Sequence, residues 1–192
     1  MTAHNVDVRL TVDDYKQMPD DLRYELIEGD LELTPSPNYV HHELVTRLFE
    51  RLRDFLRHHN VGGKVFIAPF DVVLSEHNVV QPDVFYISAE RRGIITMDNI
   101  QGAPDLVIEV LSPSTARRDR GPKRKIYARF GVREWWLVDP EARMVEVARL
   151  TQRGLETVRV YPPPLCAESM ILPGFRVDVA ALFDGLEPGA RD

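Results

Sequence analysis

A chain of 192 residues, 44% hydrophobic and 28% charged, can bury a full core without disulfides or a structural metal. Its formal charge of −6, from 30 acidic against 24 basic side chains, excludes nucleic-acid binding through the overall field, so any such role needs a local basic patch. One cysteine, Cys166, excludes an internal disulfide framework and a cysteine-rich zinc site; no apolar run approaches the roughly 20 residues that span a bilayer, and the start, MTAHNVDVRLTVDD, lacks the order of a signal peptide.

No membrane association and a cytoplasmic location are therefore expected. A single domain over 1–192 is expected too, with its core over about 11–183 and loose termini at 1–8 and 185–192. Thr11 followed by Asp14 has the spacing of a capping box and predicts a short helix that Pro19 stops. YELIEGDLELTP predicts two short strands turning at Gly29. From Tyr39 to His58, Leu44, Val45, Leu48, Phe49, Leu52, Phe55 and Leu56 recur every three or four residues. That spacing predicts an amphipathic helix, closed by Gly62-Gly63.

KVFIAPFDVVL (64–74) and DVFYIS (83–88) are rich in β-branched and aromatic residues and predict strands. DLVIEVL (105–111) is nearly continuous apolar sequence, the kind buried on both faces of a sheet. Residues 116–130 predict a helix ended by Gly131, with Ser112, Ser114 or Thr115 as its N-cap. EWWLVDP, MVEVARL, LETVRVY and the segment up to FRVDV add strands, with Trp135 and Trp136 as core. The expected class is α/β: a mixed sheet with one helix on each face. Residues 105–138 would form a right-handed crossover between parallel strands.

Glu109 does not fit its strand. An ionised carboxylate inside DLVIEVL faces a large desolvation cost unless something pairs with it. Strand alternation puts Asp105, Val107, Glu109 and Leu111 on one face and Leu106, Ile108 and Val110 on the other. Glu109 therefore either meets a partner, points to a solvated sheet edge or pairs with an arginine. Asp83 follows Gln81-Pro82 at the start of the preceding strand; a turn aspartate is the plain alternative. Two carboxylates at neighbouring strand ends repel each other, and a hard cation with oxygen ligands relieves the repulsion. Such a cation activates water and neutralises charge on a scissile phosphate.

Asp83 after Pro82, then Glu109 in an apolar strand, resembles the PD…(D/E)XK pattern of restriction-endonuclease-like proteins. The runs YELIEGDLELTPSP, APFDVVL, VVQPDVFYIS, GAPDLVIEVLSPSTARRD and GVREWWLVDPEAR resemble, in that order, the Uma-type family of that superfamily, over about residues 11–183. The resemblance implies a restriction-endonuclease-like fold with an N-terminal hairpin and extra C-terminal strands. It also implies Mg²⁺ (or Mn²⁺) held by Asp83 and Glu109. The lysine expected two residues after the acid is replaced here by Leu111. In the resembling family a lysine of the following helix stands in, within a K-x-x-x-Y pattern, here Lys123 to Tyr127. That implies Lys123 rather than Lys125; the two lie about 200° apart around a helix, so only one faces the site. One more charge on a basic helix is the alternative.

Glu25 in YELI is either a third carboxylate of the site or a surface strand residue. His41 stands where the family pattern carries a histidine; it touches the water or a phosphate there, or hydrogen-bonds a loop, and the structural role is the one expected. Gln81 is expected to line the site. Between Arg117 and Arg129 the chain carries Arg117, Arg118, Arg120, Lys123, Arg124, Lys125 and Arg129 against one acid, Asp119. This is a solvated helix face or a phosphate-binding surface, for which Arg117, Arg118, Arg120 and Lys125 are the candidates. The function expected is a Mg²⁺-dependent phosphodiesterase cutting DNA, as a homodimer by analogy with superfamily members. The rival is a catalytically weak or inactive nuclease fold serving DNA binding or protein interaction.

Overall fold

A computed structural model describes residues 9–19, 22–113 and 116–186. Thr11 caps α1 (Val12–Tyr15): its side chain accepts from the Asp14 N–H, and the Asp14 carboxylate accepts from the Thr11 N–H at 2.8 Å, the expected capping box. The hairpin follows as β1 (Tyr24–Ile27) and β2 (Asp30–Leu33), with Gly29 in the turn at φ +90°. That left-handed conformation suits a residue without Cβ.

Asn38 caps α2 (Tyr39–His58) by accepting the His41 N–H at 2.9 Å, which fixes His41 in the first turn. The stripe Leu44, Val45, Leu48, Leu52 and Leu56 is buried, each side chain worth roughly 1.5–3 kcal/mol over its exposed state. The two glycines do not close this helix. It ends at His58, and Asn60 takes the left-handed turn at φ +51°. Gly63 instead sits at φ +103° against the next strands, where a Cβ would lie 2.4 Å from the Ile87 carbonyl oxygen. Gly63→Ala is expected to destabilise the fold by about 1–3 kcal/mol from backbone strain, read by urea unfolding; an unchanged midpoint would mean the backbone yields there.

Strands β3 (Lys64–Ile67), β4 (Val72–Ser75), β5 (Asn78–Val80), β6 (Val84–Ile87), β7 (Ile100–Gln101) and β8 (Leu106–Val110) follow. The expected 116–130 helix is broken into α3 (Ala116–Arg118), a π-helical turn (Asp119–Lys123) and α4 (Arg124–Phe130). Pro122 lies in that turn; it has no N–H for the helical ladder, and the turn widens around it. Gly131 ends α4 at φ +89°, its N–H reaching the Tyr127 and Ala128 carbonyls, as expected of a C-terminal glycine. The chain continues through β9 (Glu134–Asp139), β10 (Met144–Thr151), β11 (Gly154–Tyr161), β12 (Cys166–Glu168), β13 (Arg176–Asp178) and α5 (Val179–Leu182).

The main sheet is mixed, in the order β11-β10-β9-β8-β6-β3, with β8 and β9 parallel as expected of a strand-helix-strand unit. Leu106, Ile108, Val110 and Trp136 face α2, while Val107, Leu111, Trp135 and Leu137 face Ile126 and Tyr127 of α4. The strand alternation read from the sequence thus holds, with one helix on each face. One mixed sheet was too few. The hairpin joins β5, β4 and β7 in a second sheet, ordered β2-β1-β5-β4-β7. KVFIAPFDVVL divides between the two sheets at Ala68-Pro69, since a proline cannot donate to a central ladder.

Among the described residues no helix is long and apolar enough to cross a membrane. Residues 1–8, the N-cap candidates Ser114 and Thr115, and 187–192 lie outside the described residues. The tail expected to be loose from 185 is still anchored at Leu186, which is 3% exposed and whose carbonyl accepts from Arg143.

Candidate active site

Val84 of β6 pairs antiparallel with Ile108 of β8, so the register carries Asp83, one residue ahead, to the end of β8 beside Glu109. Asp83 Oδ2 accepts the Val110 N–H at 2.8 Å and lies 3.2 Å from His41 Nε2. Alternation along β8 turns Glu109 toward α4, where Lys123 Nζ stands 2.7 Å from its Oε1 and the Tyr127 hydroxyl donates to the same oxygen. Asp119, Lys123 and Tyr127 recur every four residues and share one buried helix face.

Glu25 reaches the same point from the second sheet. Its Oε1 accepts the Gln81 N–H at 2.8 Å and meets Lys123 Nζ at 3.0 Å; its Oε2 lies 3.3 Å from Arg118. One ammonium therefore ties the two sheets and the helix together. Of the two readings open for Glu25, the surface strand residue is excluded, because Glu25 is 1% exposed. The choice of Lys123 over Lys125 matches the geometry, Lys125 being exposed on the far side of the helix.

Burial pushes the Glu109 carboxyl up to about 8 against the pull of Lys123, with the charges of Asp119, Asp83 and Glu25 adding to the rise. Desolvation acts to lower Lys123, yet Glu109 and Glu25 hold its ammonium well above the usual lysine range. Burial and then the Glu109 charge raise the Tyr127 hydroxyl, which stays a neutral donor. Burial likewise acts to lower His41, but its hydrogen bond to Asp83 and the charges of Asp83 and Asp119 leave it raised overall. The site is a nearly sealed set of opposed charges, each dependent on the others for its state.

Tyr127 apart, these residues line one cleft of about 260 Å³ together with Thr34–Pro37 and Ala68-Pro69. A larger, more apolar cavity of about 480 Å³ holds Arg120 and Asp139 but neither Asp83 nor Glu109. Among the described residues six buried side-chain polar atoms lack a hydrogen-bond partner. Five of them, Glu25 Oε2, Thr34 Oγ1, His41 Nδ1, Gln81 Oε1 and Arg118 Nε, belong to residues of the carboxylate cleft. Buried groups are ordinarily satisfied, so these atoms are open to water or another polar molecule that enters the cleft.

A divalent hard cation fits the donors present. Among the described residues no group of three or more His, Cys, Asp and Glu could hold a metal ion. Asp83 and Glu109 form a pair, and Mg²⁺ takes one or two carboxylates, filling its remaining positions with water and phosphate oxygens. Asp83 Oδ1 and Glu109 Oε2 accept no hydrogen bond among the described residues.

The basic helix is largely neutralised. Arg118 pairs with Glu25, Arg120 with Asp139 at 2.6 Å, Arg124 with Glu146 at 2.9 Å and Arg129 with Glu28, while Arg117 and Lys125 are exposed. The Gln81 side chain donates to Asp71 at 2.8 Å and so braces the cleft wall. Sequence reasoning missed Arg118 as the partner of Glu25, and assigned no role to Tyr127 or Asp119, though their four-residue spacing from Lys123 was a usable signal. Asp105, on the same strand face as Glu109, is a structural anchor. It accepts the Ser88 N–H at 2.8 Å and pairs with Arg91 and Arg133.

A family model for Uma2, described as "Putative restriction endonuclease", matches residues 12–180. The chain belongs to the Uma2 family. It is also similar to the crystal structure of a putative nuclease belonging to DUF820 from Anabaena variabilis ATCC 29413, with 22% identity and a TM-score of 0.76, covering 91% of this chain and 97% of that one. At that identity the likeness carries the fold, and the nuclease-like α/β architecture expected from the motifs is the one this Uma2 chain adopts. No curated protein matches the chain.

Proposed function

We propose that this Uma2 chain is a metal-dependent phosphodiesterase that cuts DNA, with Asp83 and Glu109 as the ligands of Mg²⁺ or Mn²⁺. The observation that carries the reading is the cleft itself: two carboxylates, a buried ammonium and five unsatisfied polar atoms converging in one small space. Bound there, the cation supplies Lewis acidity toward a scissile phosphate and a more acidic water. Lys123 keeps a positive charge beside Glu109, placed to stabilise negative charge on the phosphate. His41 Nε2 meets Asp83 Oδ2, the same oxygen that accepts the Val110 N–H, and orients its carboxylate. Arg118 lines the cleft, and Arg117, Arg120 and Lys125 offer charge to the flanking phosphate backbone. A two-fold dimer would suit cutting both strands; light scattering measures it.

Plasmid DNA incubated with Mg²⁺ or Mn²⁺ is expected to be nicked or linearised by the wild-type chain. Asp83→Ala and Glu109→Ala should each lose cleavage by about 10³-fold or more, the scale on which electrostatic stabilisation of a transition state acts. Unchanged cleavage in both variants would sink the assignment. A second reading, a nuclease fold kept for DNA binding or protein interaction, draws on the Lys123 ion pair at Glu109 and the paired arginines of the basic helix. Titration with Mn²⁺ separates the two, because binding that depends on Glu109 belongs only to the first.

A further inference from the structure

We propose that Glu25 is a positioning residue that holds Lys123, and not a metal ligand, so that the cleft takes one divalent cation, at Asp83 and Glu109. The inference rests on the metal-dependent reading above. Glu25 Oε1 is engaged twice, by the Gln81 N–H at 2.8 Å and by Lys123 Nζ at 3.0 Å. Its Oε2 faces Arg118 at 3.3 Å, outside hydrogen-bonding geometry but within its field. With Glu25 1% exposed and the Lys123 side chain 3% exposed, water does not replace these partners. Drawing Glu25 toward a metal would leave Lys123 and Arg118 short of their counter-charge in a nearly sealed space.

Glu109 and Asp83 each keep one oxygen that accepts no hydrogen bond among the described residues; Glu25 Oε2 accepts none either, but the Arg118 guanidinium stands 3.3 Å from it. A cation at Glu25 therefore meets two fixed positive charges, Lys123 and Arg118, where one at Glu109 meets Lys123 alone. Lys123 gains a fixed place from this arrangement. Its i,i+4 neighbour Asp119 is 3.7 Å away, so Glu25 and Glu109 supply the short contacts that aim the ammonium.

The test titrates MnCl₂ into the full chain by calorimetry, for wild type, Glu25→Gln and Asp83→Asn, alongside plasmid cleavage by Glu25→Gln and Glu25→Ala. The glutamine keeps an oxygen for the Gln81 N–H and for Lys123; the alanine removes both contacts. Wild type and Glu25→Gln should each bind one Mn²⁺ per chain with Kd values within about threefold, while Asp83→Asn binds about 10–100-fold more weakly. Glu25→Ala should lose about 10²-fold in kcat at unchanged KM, and Glu25→Gln should recover most of it. Two Mn²⁺ per wild-type chain would overturn the proposal alone, as would Glu25→Gln weakening Mn²⁺ as much as Asp83→Asn does. A wild-type chain that binds no Mn²⁺ overturns it together with the metal reading. Should Glu25→Ala not fold, the Glu25→Gln titration decides by itself.

Discussion

Lys123→Met should both unsettle the fold and silence the site. The methionine keeps the unbranched apolar stem of the side chain, one atom shorter, and removes the charge that two buried carboxylates share, at 2.7 Å from Glu109 and 3.0 Å from Glu25. Removing one partner of a buried ion pair costs about 3–5 kcal/mol. The low end applies here, because Arg118 still faces Glu25 and Glu109 can take up a proton. The sign with pH follows from that proton. The folded-state Glu109 carboxyl is raised to about 8 from its ordinary 4.5, so its protonation favours the fold below 4.5 and that contribution is lost as pH rises through 8. Lys123 is the largest influence lowering that value. Without it the folded state holds the proton to still higher pH, and the deficit relative to wild type should widen from pH 6 to pH 9. Urea unfolding at the two pH values checks the trend; a constant deficit would mean that Lys123 contributes packing rather than charge. Cleavage by the variant should fall by about 10²–10³-fold if Lys123 stabilises charge on the phosphate.

Trp136→Ala should be the largest purely structural loss. The indole is fully buried, lies 5.7 Å from the Phe175 ring, and donates from Nε1 to Glu134 Oε1 at 2.7 Å. Glu134 is itself fully buried, and its other oxygen accepts the Met170 and Ile171 N–H groups at 2.7 and 3.2 Å. The tryptophan thus fills core volume and completes the clamp by which β9 holds the turn between β12 and β13. Truncation to alanine costs about 3–5 kcal/mol in cavity and transfer terms, and a stranded buried carboxylate adds to it. Trp136→Phe separates the two contributions: the ring remains, and the loss should shrink to the about 1–3 kcal/mol of an unmade hydrogen bond. Equal losses in both variants would show that the hydrogen bond outweighs the packing. A loss under about 1 kcal/mol for Trp136→Ala would show that the 166–186 segment does not depend on this indole.

Some of the site was legible because it breaks local rules. Glu109 stands out as a charge in a strand otherwise apolar on both faces, and burial of both faces is what the structure delivers. Lys123 was singled out by the family resemblance, through the K-x-x-x-Y pattern that runs from it to Tyr127, once a lysine is missing after Glu109. Glu25 was ambiguous, because YELI reads equally as an edge or a core strand until its sheet meets the helix that carries Lys123 and Arg118. The pairing of Arg118 with Glu25 had no signal in either segment, since it exists only where the hairpin sheet meets the broken helix.

Local periodicity determined α2, the apolar strand β8, the hairpin and the capping box at Thr11, because each depends on residues within a turn or two of one another. Order of motifs along the chain determined the family and, with it, the nuclease-like fold. Only tertiary structure decided that the strands divide among three sheets; the second exists because β5 and β7, too short to carry a period of their own, form by pairing with β4. It also decided that the basic helix is mostly spent on internal ion pairs, and that Glu25, Glu109 and Lys123 meet. A buried charge is stable only where its partners converge, and the convergence of segments distant in sequence is set by packing, which no single stretch of this chain encodes.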